Sequence, residues 1–225
     1  MLSPTDIIKQ INTILRELIQ CSLAVDNNFP SSRMTTDNIQ SIDFGKQDIS
    51  IALKKDKSYN EIYDMLHESK SYTCKLIDGA LVQLMYEFKD NILLRHRLAF
   101  FSSPYLSSFQ NEPELYRDEA IYSDVLFKSI VAFPIRFDYD SRQERCNDCS
   151  HPASHLTLGQ YENCRIPVSS PVTPHQFFDF ILRNFYNTAF NMYCSLLHFD
   201  DLSFNNTISN DEQRITHLII ACTST

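Results

Sequence analysis

The sequence predicts an α+β fold. A mostly antiparallel sheet carries helices packed on one face, with an N-terminal helix and a long buried C-terminal helix. Three observations lead there. Asp78-Gly79 and Asp90-Asn91 are tight-turn dipeptides that divide residues 70–102 into three apolar alternating runs, the pattern of an antiparallel meander. Ser3-Pro4 and Thr173-Pro174 each set a hydroxyl N-cap before a proline at the first helical position. The order helix, strands, helix, strands, helix lacks the strict alternation of a parallel sheet.

The elements follow in order. After Ser3-Pro4, Asp6 places negative charge in the first helical turn. Ile7, Ile8, Ile11, Leu15, Leu18 and Ile19 then form one apolar stripe, on a helix expected to end near Leu23. The stripe reads as a core face, with a partner-binding face as the alternative. Residues 26–36 read as a linker, Ile39 to Ile51 as holding a short strand, and Ser58 as the cap of a helix to about Ser69. In the meander, Val82, Leu84, Tyr86 and Phe88 share one strand face. Arg95 and Arg97 share a face of the next strand, solvated or touching phosphate.

A loop from Ser102 to Glu114 is punctuated by Pro104 and Pro113, and a short helix is expected around Leu115 to Leu126. The motif-bearing strands occupy 129–170: Ser129 to Tyr139, Ser154 to Tyr161, and Cys164 to Val168. Pro134 points to an edge or a bulge in the first of these. A helix over 174–197 follows Thr173-Pro174, with Phe177, Phe178, Ile181, Phe185, Ala189 and Met192 along one face expected to be nearly buried. Asp200 to Asp211 is a polar loop, and the period of Ile215 to Cys222 decides neither strand nor helix. No boundary divides residues 1–225, so a single domain is expected.

Composition removes some functions. The chain has 3 glycines in 225 residues, against a usual share of about 7%. Glycine-rich phosphate loops are therefore excluded. A formal net charge of −8 argues against nonspecific binding of nucleic acid or membrane by the whole surface, and leaves room for a local basic groove. The sequence shows no signal-peptide pattern and no apolar run that spans a bilayer. Seven scattered cysteines do not form a secreted disulfide framework, so a reduced, cytoplasmic protein is expected.

Ionisable residues suited to joint chemistry concentrate between Arg136 and Pro174. Cys146, Cys149, His151 and His155 bring four zinc-type ligands within ten residues, although the spacing is not that of a finger. Uninvolved cysteines and redox chemistry are the alternatives, and Pro152 speaks against redox. His151 and His155 bracket Pro152, and two imidazoles there suit general acid–base work as well as a structural turn. Asp138 and Asp140 share a strand face, which suits Mg or Mn if Glu162 adds a third carboxylate, or else a solvated strand end. Gly159, Gln160 and Tyr161 form a candidate substrate-binding stretch, since glycine in a strand permits close approach. Arg165 is a candidate phosphate clamp or an ion-pair partner of Asp138 or Asp140.

The run His151 to Tyr161 (HPASHLTLGQY) is continued by Asn163 to Val168 (NCRIPV) and by Pro171 to Pro174. Together with RFDYD at 136–140 and FFDFILRNFY at 177–186, it resembles the signature of an uncharacterised bacterial family, the domain of unknown function 2290. The resemblance covers the whole chain. It implies a bacterial cytoplasmic protein and carries no established activity. Cys146 and Cys149 fall outside the motif, which favours the histidines over zinc. The strand RFDYD with its His-rich turn is also similar to small toxins of bacterial toxin–antitoxin pairs.

Two functional expectations follow. One is a defence or toxin-type effector that acts on nucleic acid or a nucleotide through His151, His155, Asp138, Asp140 and Arg165. The other is a non-catalytic subunit of a multi-protein bacterial defence system, with its protein partner encoded nearby. Neither involves a membrane, and the sequence leaves oligomeric state open.

Overall fold

The computed structural model describes residues 2–35, 37–45, 57–106, 122–126, 132–142, 144, 146, 149–161 and 163–220. Its strands are β1 (Ala24–Asn27), β2 (Ser31–Met34), β3 (Ile39–Asp43), β4 (Cys74–Leu76), β5 (Leu81–Lys89), β6 (Ile92–Phe101), β7 (Pro134–Asp140), β8 (Ser154–Leu158) and β9 (Ile166–Pro167). Its helices are α1 (Pro4–Gln20), α2 (Tyr59–Glu68), α3 (Ser123–Leu126), α4 (Pro174–Phe185) and α5 (Asn187–Tyr193). The strands form one sheet in the order β1-β4-β5-β6-β7-β8-β9, with β3 beside the far half of β5 and β2 beside β3. Every strand pair is antiparallel.

The meander forms where its turns place it. Asp90 (φ 51°) and Asn91 (φ 63°) have the two positive φ values that a two-residue hairpin turn demands. Gly79 has φ +88°, and a Cβ there would meet the Ser103 side chain at 3.2 Å and the Tyr63 hydroxyl at 3.3 Å, so only glycine fits. Val82, Leu84, Tyr86 and Phe88 are all buried in one cluster, as their alternation requires.

That cluster is closed by α1 and α4, through Ile7, Ile11, Leu15 and Leu18 and through Phe177, Phe178 and Ile181. Ser3 with Asp6, Ser58 with Glu61, and Thr173 with Gln176 form reciprocal capping boxes at the starts of α1, α2 and α4. Among the described residues, no helix is long and apolar enough to cross a membrane.

Several expectations need correction. Helices do not keep to one face: α2 packs Ile62, Tyr63 and Leu66 against Leu81, Ala99 and Phe101, which alternate to the opposite side. The linker read over 26–36 contains β2 and the end of β1. Its polar residues pair as edge strands without an apolar period. Pro134 lies neither at an edge nor in a bulge: it is the first residue of β7, an interior strand, where a missing N–H costs least. Residues 127–131, where that strand was expected to start, lie outside the described residues. So do 107–121, which cover much of the expected loop and helix there, and 46–56. Residues 215–220 form neither a helix nor a regular strand, and Leu218 makes an isolated parallel bridge with Val168.

The helix expected over 174–197 is two helices, broken at Tyr186 (φ −131°, ψ 44°). Phe185 and Met192 are exposed at 37% and 48%, although Phe185 still stacks one side of its ring on Phe100. Tyr186 itself is buried and donates its hydroxyl to both oxygens of Asp78, at 2.8 and 2.7 Å. Burial raises the Asp78 pKa, opposed by the Tyr186 hydroxyl and the Ala80 amide. The phenol ties the first meander turn to the helix break. Tyr186→Phe leaves that buried carboxylate with only backbone amides, that of Ala80 among them, as donors and should lower unfolding free energy in urea by about 2 kcal/mol. An unchanged midpoint would show that the bond contributes nothing.

Candidate functional site

Alternation along β7 divides its side chains between two environments. Ile135 and Phe137 enter the core, where Phe137 meets the rings of Phe177 and Phe180 edge-on at 6.0 and 5.4 Å. Arg136 and Asp138 therefore face the other side. Antiparallel register then builds a row across three strands, because Arg97 of β6 and His155 of β8 both pair with Asp138. A second row runs Ala99, Arg136, Thr157. In β9, Ile166 pairs with Leu156, and Arg165, just before that strand, acts electrostatically on His151 and His155.

Asp138 is the centre. Its Oδ1 accepts from Arg97 Nε at 2.7 Å and its Oδ2 from Arg136 Nε at 2.5 Å. The carboxylate is 13% exposed and the guanidinium side chains 25% and 24%. Burial opposes ionisation here, but Arg97 and Arg136 outweigh it and hold the pKa at about 2. Neither arginine uses its Nη atoms in a hydrogen bond among the described residues.

His155 is buried, with Nδ1 2.8 Å from the Pro152 carbonyl oxygen. A carbonyl only accepts, so Nδ1 carries the proton and Nε2 is the basic nitrogen of the neutral ring. Nε2 lies 3.9 Å from Asp138 Oδ2. Burial lowers the His155 pKa, while Asp138 pulls it the other way. His151, more exposed, sets its ring perpendicular to His155 with centroids 5.3 Å apart. Its pKa is lowered by burial and then by Arg165. The Thr157 hydroxyl is buried without a hydrogen-bond partner among the described residues. Arg165 makes no hydrogen bond or ion pair among them either.

The other sequence candidates separate from this group. Asp140 is engaged by Arg142, whose Nε reaches Oδ1 at 2.8 Å and whose Nη2 reaches Oδ2. Cys146 Sγ lies 3.4 Å from the carbonyl oxygens of both Asp140 and Arg142, while Cys149 is exposed at φ 63°. Among the described residues, no three His, Cys, Asp or Glu side chains group to hold a metal ion. Glu162, the expected third carboxylate, lies outside them.

Gly159 (φ +65°) is required locally, since a Cβ would meet the Tyr161 ring at 3.2 Å. Gln160 donates to the Lys57 carbonyl at 3.0 Å, and Tyr161 is 76% exposed. Sequence reasoning left out Arg136 and Thr157, and it gave Arg97 no partner. Arg136 and Asp138 stand two apart on one strand, so that pairing was readable. Arg97 needed the register.

Fold and site together define an α+β protein with a helix-covered core face and a cationic row on the outer face of one antiparallel sheet. The chain belongs to the family described as Uncharacterized conserved protein (DUF2290), which it matches over residues 23–220. No curated protein and no solved structure matches it.

Acid should loosen this sheet from both faces. His96, on the core side of β6, accepts the Val172 N–H at its Nε2 and is held neutral by burial, with its pKa lowered to about 3. Unfolded, it titrates near 6.5. Its contribution is therefore full above about pH 6.5 and erodes as pH falls toward 3. Asp138 adds a later loss, between about pH 4 and 2. Urea midpoints should fall as pH drops below about 6.5. His96→Gln, which keeps an acceptor for Val172, should flatten the first part of that fall. A slope identical to wild type would remove His96 from the account.

Proposed function

We propose that the outer face binds a phosphate ester and performs proton transfer on it, as an enzyme acting on a nucleotide or nucleic acid. One observation carries this reading: Arg97 and Arg136 share a single carboxylate, Asp138, while Arg165, which acts on His151 and His155, has no ion-pair partner among the described residues, in a chain of formal net charge −8. One negative charge cannot balance three guanidiniums, and the site gains by taking up an anion. Arg136 pairs across the strands with Thr157, whose buried hydroxyl has no partner among the described residues, which supports a phosphate oxygen there. Arg97 and Arg136 still have their Nη donors to offer.

Proton transfer falls to the imidazoles. Nε2 of His155 is the base, and Asp138 stabilises the imidazolium as it forms. His151, closer to solvent, is the second proton-transfer group. Neither aspartate is left to hold a cation, since guanidinium nitrogens already occupy both oxygens of each.

Arg165→Ala should weaken binding of a fluorescent oligonucleotide at least about tenfold while leaving the melting temperature in place. His151→Ala should keep binding and lose turnover by about a hundredfold or more. Oligonucleotide affinity that ignores Arg165, or a chain that binds no phosphate ester, would sink the reading.

A further inference from the structure

The phosphate-ester reading leaves open which nucleophile attacks phosphorus. We infer that the substrate is single-stranded RNA and that its own 2′-hydroxyl is the nucleophile. This rests on the proposed phosphate site and narrows it. Three features of the outer face point the same way.

The first is the state of the carboxylates. Attack by water on a phosphodiester is commonly assisted by divalent cations held on carboxylate oxygens. Here Asp138 gives both oxygens to Arg97 and Arg136, and Asp140 gives both to Arg142. A divalent cation would have to displace a guanidinium and then sit beside the others. A neighbouring hydroxyl needs no such help, because an oriented intramolecular nucleophile has an effective concentration of roughly 10⁵ M or more.

The second is the pair of imidazoles. Transesterification needs a base at the attacking oxygen and an acid at the leaving one. Two histidine rings with centroids 5.3 Å apart supply both. The Pro152 carbonyl fixes the His155 proton on Nδ1 and leaves Nε2 as the base, with an edge of the side chain still 8% exposed. In the step, His155 Nε2 takes the 2′-hydroxyl proton and the O2′–P bond forms. The P–O5′ bond breaks, and His151, which enters the step as the imidazolium, gives its proton to the departing 5′-oxygen and leaves as the neutral ring. The products are a 2′,3′-cyclic phosphate and a 5′-hydroxyl, with no water, oxidant or metal consumed. Arg136, Arg165 and the Thr157 hydroxyl face the charge that builds on the non-bridging oxygens.

The third is Tyr161. It follows β8, the strand of His155 and Thr157, and its ring rests against Gly159 while 76% of the residue is exposed. A ring backed by main chain and open to solvent suits stacking on an unpaired base, which a duplex does not offer.

The test uses the full chain, in EDTA, with end-labelled oligonucleotides of one sequence: RNA, DNA, and DNA holding a single ribonucleotide. RNA should be cut, and the chimera cut only after its ribonucleotide, leaving a cyclic phosphate. DNA should bind and survive. His151→Ala should slow cutting at least about a hundredfold with RNA affinity kept. Tyr161→Ala should weaken RNA binding about tenfold, and Tyr161→Phe should restore it. Cutting of DNA, cutting only when magnesium is added, or RNA bound and left intact overturns the RNA inference and leaves phosphate-ester binding standing. Failure to bind any of the oligonucleotides overturns both.

Discussion

The outer face depends on one carboxylate held between two guanidiniums. Asp138 accepts from Arg97 on one neighbouring strand position and from Arg136 on its own strand. That arrangement exists only if β6, β7 and β8 are in this register. A slip of one residue would turn Asp138 toward Phe177 and Phe180 and bring Phe137 out to solvent. Burying such an ion pair is a doubtful source of net stability, because desolvation offsets much of the attraction. Its effect is on geometry. With Asp138 fixed, His155 has a carboxylate 3.9 Å from Nε2.

The chain buries a second carboxylate and treats it in the opposite manner. Asp78 has a phenol and an amide for partners and no cation, so burial lifts its pKa. Asp138 has two guanidiniums, and its pKa falls to about 2. The first sits where the meander turn meets the α4–α5 break, and serves packing. The second sits where solvent still reaches the arginines. Two buried carboxyl groups are thus shifted in opposite directions under the same rule: the partner's charge decides the sign of the shift.

Much of the frame was legible. Turn dipeptides and N-caps are local, short-range chemistry, and Asp78-Gly79, Asp90-Asn91, Ser3, Ser58 and Thr173 act as their types predict. What failed was non-local. The break at Tyr186 comes from a hydroxyl drawn to a residue 108 positions away, and no helical period reports that. Strand β2 is held by pairing to β3, not by apolar alternation, so SSRM looked like linker. In the site, the histidines, Asp138 and Arg165 were found because they are close in sequence. Asp138 was read as a cation ligand or a solvated strand end because one of its arginines was invisible: Arg97 lies 41 residues upstream, and strand register alone brings it in.

The case for an anion rests on a contrast within this one face. Around the row, charges close off in local pairs: Arg95 gives two donors to Glu87, and Arg142 gives two to Asp140. Each of those cations meets one carboxylate. Inside the row the ratio changes, with Arg97 and Arg136 sharing one aspartate and Arg165 taking none. A surplus of positive charge brought together by four adjacent strands costs stability through repulsion unless something negative offsets it. Two histidines, and a buried hydroxyl without a partner among the described residues, add no negative charge at the same place. Among the described residues the row holds more guanidiniums than carboxylates, and the phosphate ester proposed above would supply the countercharge to their forked donors.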